Sequence, residues 1–130
     1  MSTVGDLLKR KGSNVYWIEP LESVYDALKE MKERDCGALC VMIEQVLVGI
    51  VSERDYVRHV ILDNKTSKLT KVSEIMTRDV VKVTSDDEVE TCLNLMKEHR
   101  FRHLPVVDDG KVVGVLSLRD LFIEAIEKQH

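Results

Sequence analysis

The stretches VGIVSERD, beginning at Val48, and VGVLSLRD, beginning at Val113, are one pattern, V-G-h-h-S-x-R-D with h apolar, written twice at a separation of 65 residues. That separation is half of the 130-residue chain, so the duplication describes the architecture. When residues 13–65 are laid on residues 78–130, 53 positions face 53 and 14 are identical. Among them are Val24/Val89, Leu28/Leu93, Met31/Met96, Leu39/Leu104, Val41/Val106, Gly49/Gly114, Ser52/Ser117, Arg54/Arg119 and Asp55/Asp120. Upstream the offset lengthens to 68, where VGDLL at Val4 faces VSEIM at Val72, so the first copy carries three extra residues around positions 10–12. A period this long exceeds the usual solenoid repeats. It implies two copies of one small α/β unit, with domains at 1–65 and 66–130.

Composition narrows the class. A 130-residue chain buries roughly two thirds of its unfolded surface and needs no staple. Apolar residues at 44% and charged residues at 32% are ordinary for a soluble globular protein. The net charge of −4 argues against a general nucleic-acid or anionic-membrane surface, which wants a basic excess. The chain opens without a basic n-region and apolar h-region, and no apolar run approaches about eighteen residues. A soluble, cytoplasmic protein is expected, although a mature organellar protein has the same look. Cys36, Cys40 and Cys92 are odd in number and do not superpose between copies. Cys36 and Cys40 lack the second pair that a zinc site needs, so buried free thiols are expected.

Each copy reads β-α-β-β-α. A short extended piece, NVYWI at Asn14 or DVVKV at Asp79, is followed by a helix with apolar positions at i, i+4 and i+7. GALCVMI from Gly37 and HLPVVDD from His103 read as buried strands. Asp109-Gly110 is a strong hairpin signal before KVVGVLS, whereas the first copy has only Glu44-Gln45 at that turn. Second helices are expected over 53–62 and 118–128. The preludes at Val4 and Val72 are expected to form a helical turn entering their own copies. KTSKLTK, from Lys65, is polar enough to be an exposed joint. Met31, Met42, Met76 and Met96 are expected in the core, and Tyr16 and Trp17 in the core or at an interface. His59, His99 and His130 have no ligand spacing. The fold class is α/β (α+β), two pseudo-symmetric repeats packed sheet to sheet, which buries the sheet faces that one copy of about sixty residues leaves open.

The Ser-x-x-Asp step stands where a strand becomes a helix and has two readings. One is a capping box, with Ser accepting from the N3 amide and the N3 carboxylate reaching back. The sequence holds an internal comparison in Ser85-Asp86-Asp87-Glu88, where the box would use the longer Glu and have a structural role alone. The other reading adds Gly49 and Gly114, which let a backbone or ligand approach the strand closely. Glycine, hydroxyl, cation and carboxylate then meet at a helix N-terminus, a place that favours anions. A hydroxyl and Arg suit a phosphate, and an Asp acceptor suits a pair of ribose hydroxyls.

These residues resemble a pair of CBS domains, the tandem Bateman module, in its stand-alone form, and the match covers nearly the whole chain. The family motif G-h-h-[ST]-x-x-[DN], the ribose–phosphate end of an adenosine site, corresponds to residues 49–55 and 114–120. The family element x-h-P-h-h, which lies along the adenine, corresponds to His103-Leu104-Pro105-Val106-Val107. In the first copy, Ala38-Leu39-Cys40-Val41-Met42 has Cys40 in place of the proline. The resemblance implies a second site from Ser117, Arg119, Asp120, Arg102, His103, Leu104, Pro105 and Val83. It implies a first site from Ser52, Arg54, Asp55, Ala38, Ile18 and Arg58. His103 has the alternative of a strand-edge histidine, and Arg58 that of a solvated helix residue.

The function expected from the resemblance is a non-enzymatic sensor. It would bind AMP, ADP, ATP, S-adenosylmethionine or NAD(H) in the cleft between the repeats and signal to an unknown regulated partner protein. The adenine nucleotide would be a regulatory ligand, with no obligatory cofactor, and two modules would stack as a homodimer in a flat disc. The alternative is a structural dimerisation module with partly decayed sites, for which Cys40 speaks. An enzyme lacks support, since no nucleophile–base pair, metal set or G-x-x-x-x-G-K-[ST] loop is present. The acidic run 86–88 reads as a helix start, and nucleic-acid binding lacks a basic face.

Overall fold

The two hairpins at the centre of the repeat share one register. In the computed structural model, which describes residues 2–128, β2 (Ala38–Ile43) pairs antiparallel with β3 (Val46–Ser52), and β4 (His103–Asp108) with β5 (Lys111–Ser117). Ala38 faces Ser52 and His103 faces Ser117, and the ladder slips by one residue after Val41 and again after Val106. Both hairpins close with positive φ at both turn residues, 50° and 78° at Asp109 and Gly110, and 48° and 73° at Glu44 and Gln45. This is the mirror-image turn whose twist matches the strands. Asp-Gly enters it easily, whereas Glu44 and Gln45 take it because the paired strands leave no other closure.

The helices repeat as well. α2 (Val24–Arg34) buries Val24, Ala27 and Met31, and α5 (Val89–His99) buries the equivalent Val89, Cys92 and Met96. Both stop at a left-handed residue, Asp35 or Arg100, again 65 positions apart. The closing helices differ. α6 (Leu118–Lys128) is a regular α-helix, but α3 (Glu53–Tyr56) passes directly into a π-helical turn, Val57–Ile61. The box expected at Ser85–Glu88 does not form. Ser85 donates its amide (2.9 Å) and its hydroxyl to Asp108 at the end of β4, and Asp87 accepts from the Thr84 amide at 2.8 Å. Glu88 stands at the N-cap of α5 without a side-chain cap bond. A carboxylate distant in sequence has outcompeted the local one.

The opening strands are unequal for a reason that can be named. β1 (Trp17–Ile18) pairs parallel with β2, and the Cys40 amide donates to Tyr16 O at 3.2 Å. At the equivalent place in the second copy, Pro105 has no N–H to give. The expected strand at 79–83 is therefore reduced to one parallel bridge, Val83 with Val106, held by Val83 N to Pro105 O (3.1 Å) and Val107 N to Val83 O (2.8 Å). Tyr16 packs against the core under the Arg34 guanidinium, whereas Trp17 is half exposed and stands outside the core, which leaves the interface of the two expected places.

The compact units are cut differently from the sequence repeats 1–65 and 66–130. One comprises residues 16–80, and the other residues 1–15 together with 81–130. The preludes account for the difference, because each docks on the other copy. From α1 (Val4–Lys11) and the residues before it, Val4 N bonds Asp87 O (2.8 Å), Gly5 N bonds Ser85 O (2.9 Å) and Ser2 O accepts from Val89 N (3.1 Å). At α4 (Val72–Ile75), Val72 N bonds Glu22 O (2.8 Å) and Ser73 N bonds Pro20 O (2.9 Å). Val4, Leu7 and Leu8 thereby join Leu104, Val106, Leu116 and Leu121 in one core, and Val72 and Ile75 join Leu39, Val41, Val51 and Val60 in the other.

The strand glycines make this docking possible. A Cβ on Gly114 would lie 2.7 Å from a Leu8 methyl, and one on Gly49 would lie 2.8 Å from both Met76 Sδ and the Thr77 carbonyl oxygen. Leu8 ends in flexible methyls, whereas Thr77 O belongs to a backbone that exchanges two hydrogen bonds with Ile50 at 2.9 and 3.0 Å. Gly49→Ala is therefore expected to cost about 2–3 kcal/mol and Gly114→Ala about 1–2 kcal/mol, the overpacking range. Urea unfolding of the two variants checks this, and equal losses would contradict the distinction.

Candidate functional site

At the end of β5 the chain turns from strand to helix, and Ser117 and Asp120 close that turn on each other. The Ser117 amide donates to Asp120 Oδ2 at 2.9 Å, and the Asp120 amide donates to Ser117 Oγ at 3.1 Å. In the first copy the Ser52 amide (2.8 Å) and hydroxyl (3.0 Å) both donate to Asp55 Oδ2, and the Asp55 amide donates to Ser52 Oγ at 3.2 Å. Both motifs are thus capping boxes, the first of the two readings that the sequence allowed. The close approach permitted by Gly49 and Gly114 is taken by the preludes.

The hairpin register brings the second motif element to the first. His103 lies opposite Ser117, and Leu118 N donates to Arg102 O at 2.8 Å. Ala38 lies opposite Ser52, and Glu53 N donates to Gly37 O at 3.0 Å. The side chains then sort by burial. Leu104 and Val83 belong to the core of their unit, Ile18 to that of the other, and Pro105 and Ala38 are buried. Arg102 and Arg119 are exposed, as are Arg54 and Arg58, the latter on the π-helical turn. Ser117, Asp120 and His103 are half-buried, as are Ser52 and Asp55. Each copy therefore combines a half-buried hydroxyl and carboxylate with buried apolar residues and with exposed arginines close in sequence.

One site residue escaped the sequence reading. Lys11, the last residue of α1, reaches back to the second motif, with Nζ 3.0 Å from Val115 O and 3.4 Å from Asp120 Oδ2. Arg10 beside it pairs with the buried Glu124 and, at 3.6 Å, with Glu127, which pins the end of α1 along α6. The signal was present as the three extra residues at 10–12. It became legible only once α1 was seen to dock on the second copy.

Burial pushes the thiols of Cys40 up to about 12 and of Cys92 up to about 11, so both are protonated, inert core groups at neutral pH. Among the described residues, no group of three or more His, Cys, Asp and Glu side chains could hold a metal ion. Among them, too, no helix is long and apolar enough to cross a membrane.

His103 is the titratable group within this constellation. Burial lowers its pKa from the usual 6.5, the Asp120 charge partly opposes this, and Arg102 adds to it. The imidazole is therefore neutral at neutral pH, a hydrogen-bonding group and not a fixed cation. Because the folded form takes up its proton later than the unfolded chain, this group's contribution to stability is full above about pH 6.5 and is lost as pH falls below it. His103→Asn should flatten the fall in melting temperature over that acid range. Identical melting profiles for wild type and variant would show that the residue does not carry the effect.

The comparisons with known proteins agree with this geometry. The family model described as CBS domain matches residues 4–62 and again 72–127. CBS domain-containing protein CBSX3, mitochondrial, from Arabidopsis thaliana is 36% identical over 99% of the chain, which spans 66% of that relative's length. The crystal structure of the CBS domain NE2398 superposes with a TM-score of 0.93 at 48% identity, covering 96% of this chain and 98% of that one. The CBS domain pair of protein MJ0100, solved in complex with 5′-methylthioadenosine and S-adenosyl-L-methionine, superposes with a TM-score of 0.88 at 26% identity, covering 98% of each. With both repeats matched by the family model and both hairpins in the same register, the chain belongs to the CBS-domain family, as a tandem CBS pair.

Proposed function

We propose that the chain is a non-enzymatic, cytoplasmic sensor that binds adenosine-containing ligands through its two Ser-x-x-Asp motifs and passes the bound state to a partner protein. The observation that carries this reading is the second motif itself, Ser117 and Asp120 at the head of α6 with His103 opposite and Arg102 and Arg119 exposed beside them. Capping does not exhaust the carboxylate, because the described bonds to Asp120 converge on Oδ2. Its other oxygen serves a ribose hydroxyl in this reading, while the arginines and the Ser117 hydroxyl serve phosphates. The adenosine compounds held by the CBS pair of protein MJ0100 support the ligand class. AMP, ADP, ATP, S-adenosylmethionine and NAD(H) are the compounds to screen.

A thermal-shift screen identifies the ligand, since a compound at about 100 times its dissociation constant adds roughly 2.7 kcal/mol. Asp120→Ala should then weaken the best ligand about 10- to 150-fold, the worth of a hydrogen bond to a charged group. The control is Ser23→Ala, at the hydroxyl that accepts from Asp26 N at the start of α2. It should cost about 1 kcal/mol of stability and leave affinity unchanged. An Asp120→Ala variant that melts lower yet binds like wild type would reduce the motif to a helix cap.

The same reading includes a homodimer. Phe122, Ile123 and Ile126 on α6 are 54%, 46% and 59% exposed, and Val57 and Ile61 stand at the equivalent places of the first copy. An apolar stripe repeated on both closing helices suits a self-complementary interface. Light scattering should give twice the chain mass of 14.9 kDa. A monomer at micromolar concentration would refute it.

A further inference from the structure

We propose that Lys11 is a specificity-determining residue of the second half-site, selecting adenosine ligands that carry phosphates over those with a neutral or cationic tail. The inference rests on the reading that Ser117 and Asp120 receive a ribose. Lys11 Nζ is fixed by two acceptors, Val115 O and Asp120 Oδ2, and the Arg10 pairings to Glu124 and Glu127 hold the helix end that carries it. Its side chain is 29% exposed and that of Asp120 is 23% exposed, so the pair is partly shielded from water. Lys11 cancels the one acidic charge of the motif, and Arg102 and Arg119 leave the half-site positive. A sulfonium or amine tail meets repulsion there, whereas a 5′-phosphate finds an ammonium beside the carboxylate that holds its ribose.

The first motif closes differently. The additional bond to Asp55 Oδ2 comes from the neutral Ser52 hydroxyl. The two motifs share their sequence, and Lys11 from α1 gives the second a cationic partner for its carboxylate.

The test is calorimetric titration of the full chain with AMP, adenosine and S-adenosylmethionine, in an Asp55→Ala background that silences the first half-site. Lys11→Gln keeps a donor for Val115 O and removes the charge. It should lower AMP affinity about 5- to 20-fold, the scale of one partly exposed charged contact. Adenosine affinity should stay unchanged and S-adenosylmethionine affinity should rise. Lys11→Arg, which keeps the charge, should preserve the AMP-to-adenosine ratio and guards against loss of fold in the Gln variant. If Lys11→Gln binds AMP and adenosine in the wild-type ratio, Lys11 merely pins α1 and the inference falls, while the ligand reading stands. If the chain with wild-type Lys11 binds none of the three, both fall together.

Discussion

The close approach of each prelude to a strand glycine is the constraint on which the rest of the structure depends. Leu8 fills the space above Gly114, and Met76 with the Thr77 carbonyl fills that above Gly49. At either glycine a Cβ would force its neighbour to shift, and each approach fixes the prelude against a hairpin of the copy from which it is distant in sequence. A β-hairpin with one flanking helix exposes too much apolar surface to be stable alone. Val4, Leu7 and Leu8 close that surface over Leu104, Val106 and Leu116, and Val72 and Ile75 close it over Leu39, Val41 and Val51. The exchange also decides which charges arrive at each motif. Lys11 reaches Asp120 because α1 docks on the second copy and not on its own.

What the sequence disclosed was whatever local chemistry determines. The offset of 65 predicted matching strands, hairpins and helices, and these arise from side chains within a few residues of one another. The failures share a different cause. The Ser85 box was lost to Asp108, which lies 23 residues away. The strand at 79–83 was lost because Pro105, on the partner strand, withholds an amide. The Glu44-Gln45 turn was hard to see because its residues do not favour positive φ, and pairing between β2 and β3 imposes it. Lys11 belongs to this class. A cation 109 positions from its carboxylate leaves no spacing to read, only an insertion whose purpose depends on the topology.

Capping and ligand recognition need not compete for the Ser-x-x-Asp motif. A carboxylate at N3 that reaches back to the N-cap amide is oriented by that bond, with one oxygen turned inward and its mate left at the helix head. The amides of the first turn and the positive end of the helix favour an anion at that place. A ligand arriving at a capped carboxylate meets a group already positioned, and little ordering entropy is lost on binding. The shorter Asp serves this arrangement better than Glu, because fewer rotatable bonds separate its carboxylate from the backbone.

Duplication followed by exchange gives each motif one set of neighbours from its own copy and another from the opposite end of the chain. The own-copy neighbours are constrained by the hairpin register and remain alike: Ala38 and His103 stand at the same ladder position opposite their serines. The exchanged neighbours are held by backbone bonds at the start of each prelude and by apolar docking, as Leu8 and Met76 illustrate, which leaves the polar side chains beyond them free to differ. Lys11 lies in that permissive zone, beyond the residues of α1 that enter the core. Such a scaffold can retune one half-site without disturbing the other, because the residue that changes the electrostatics is not one that holds the fold.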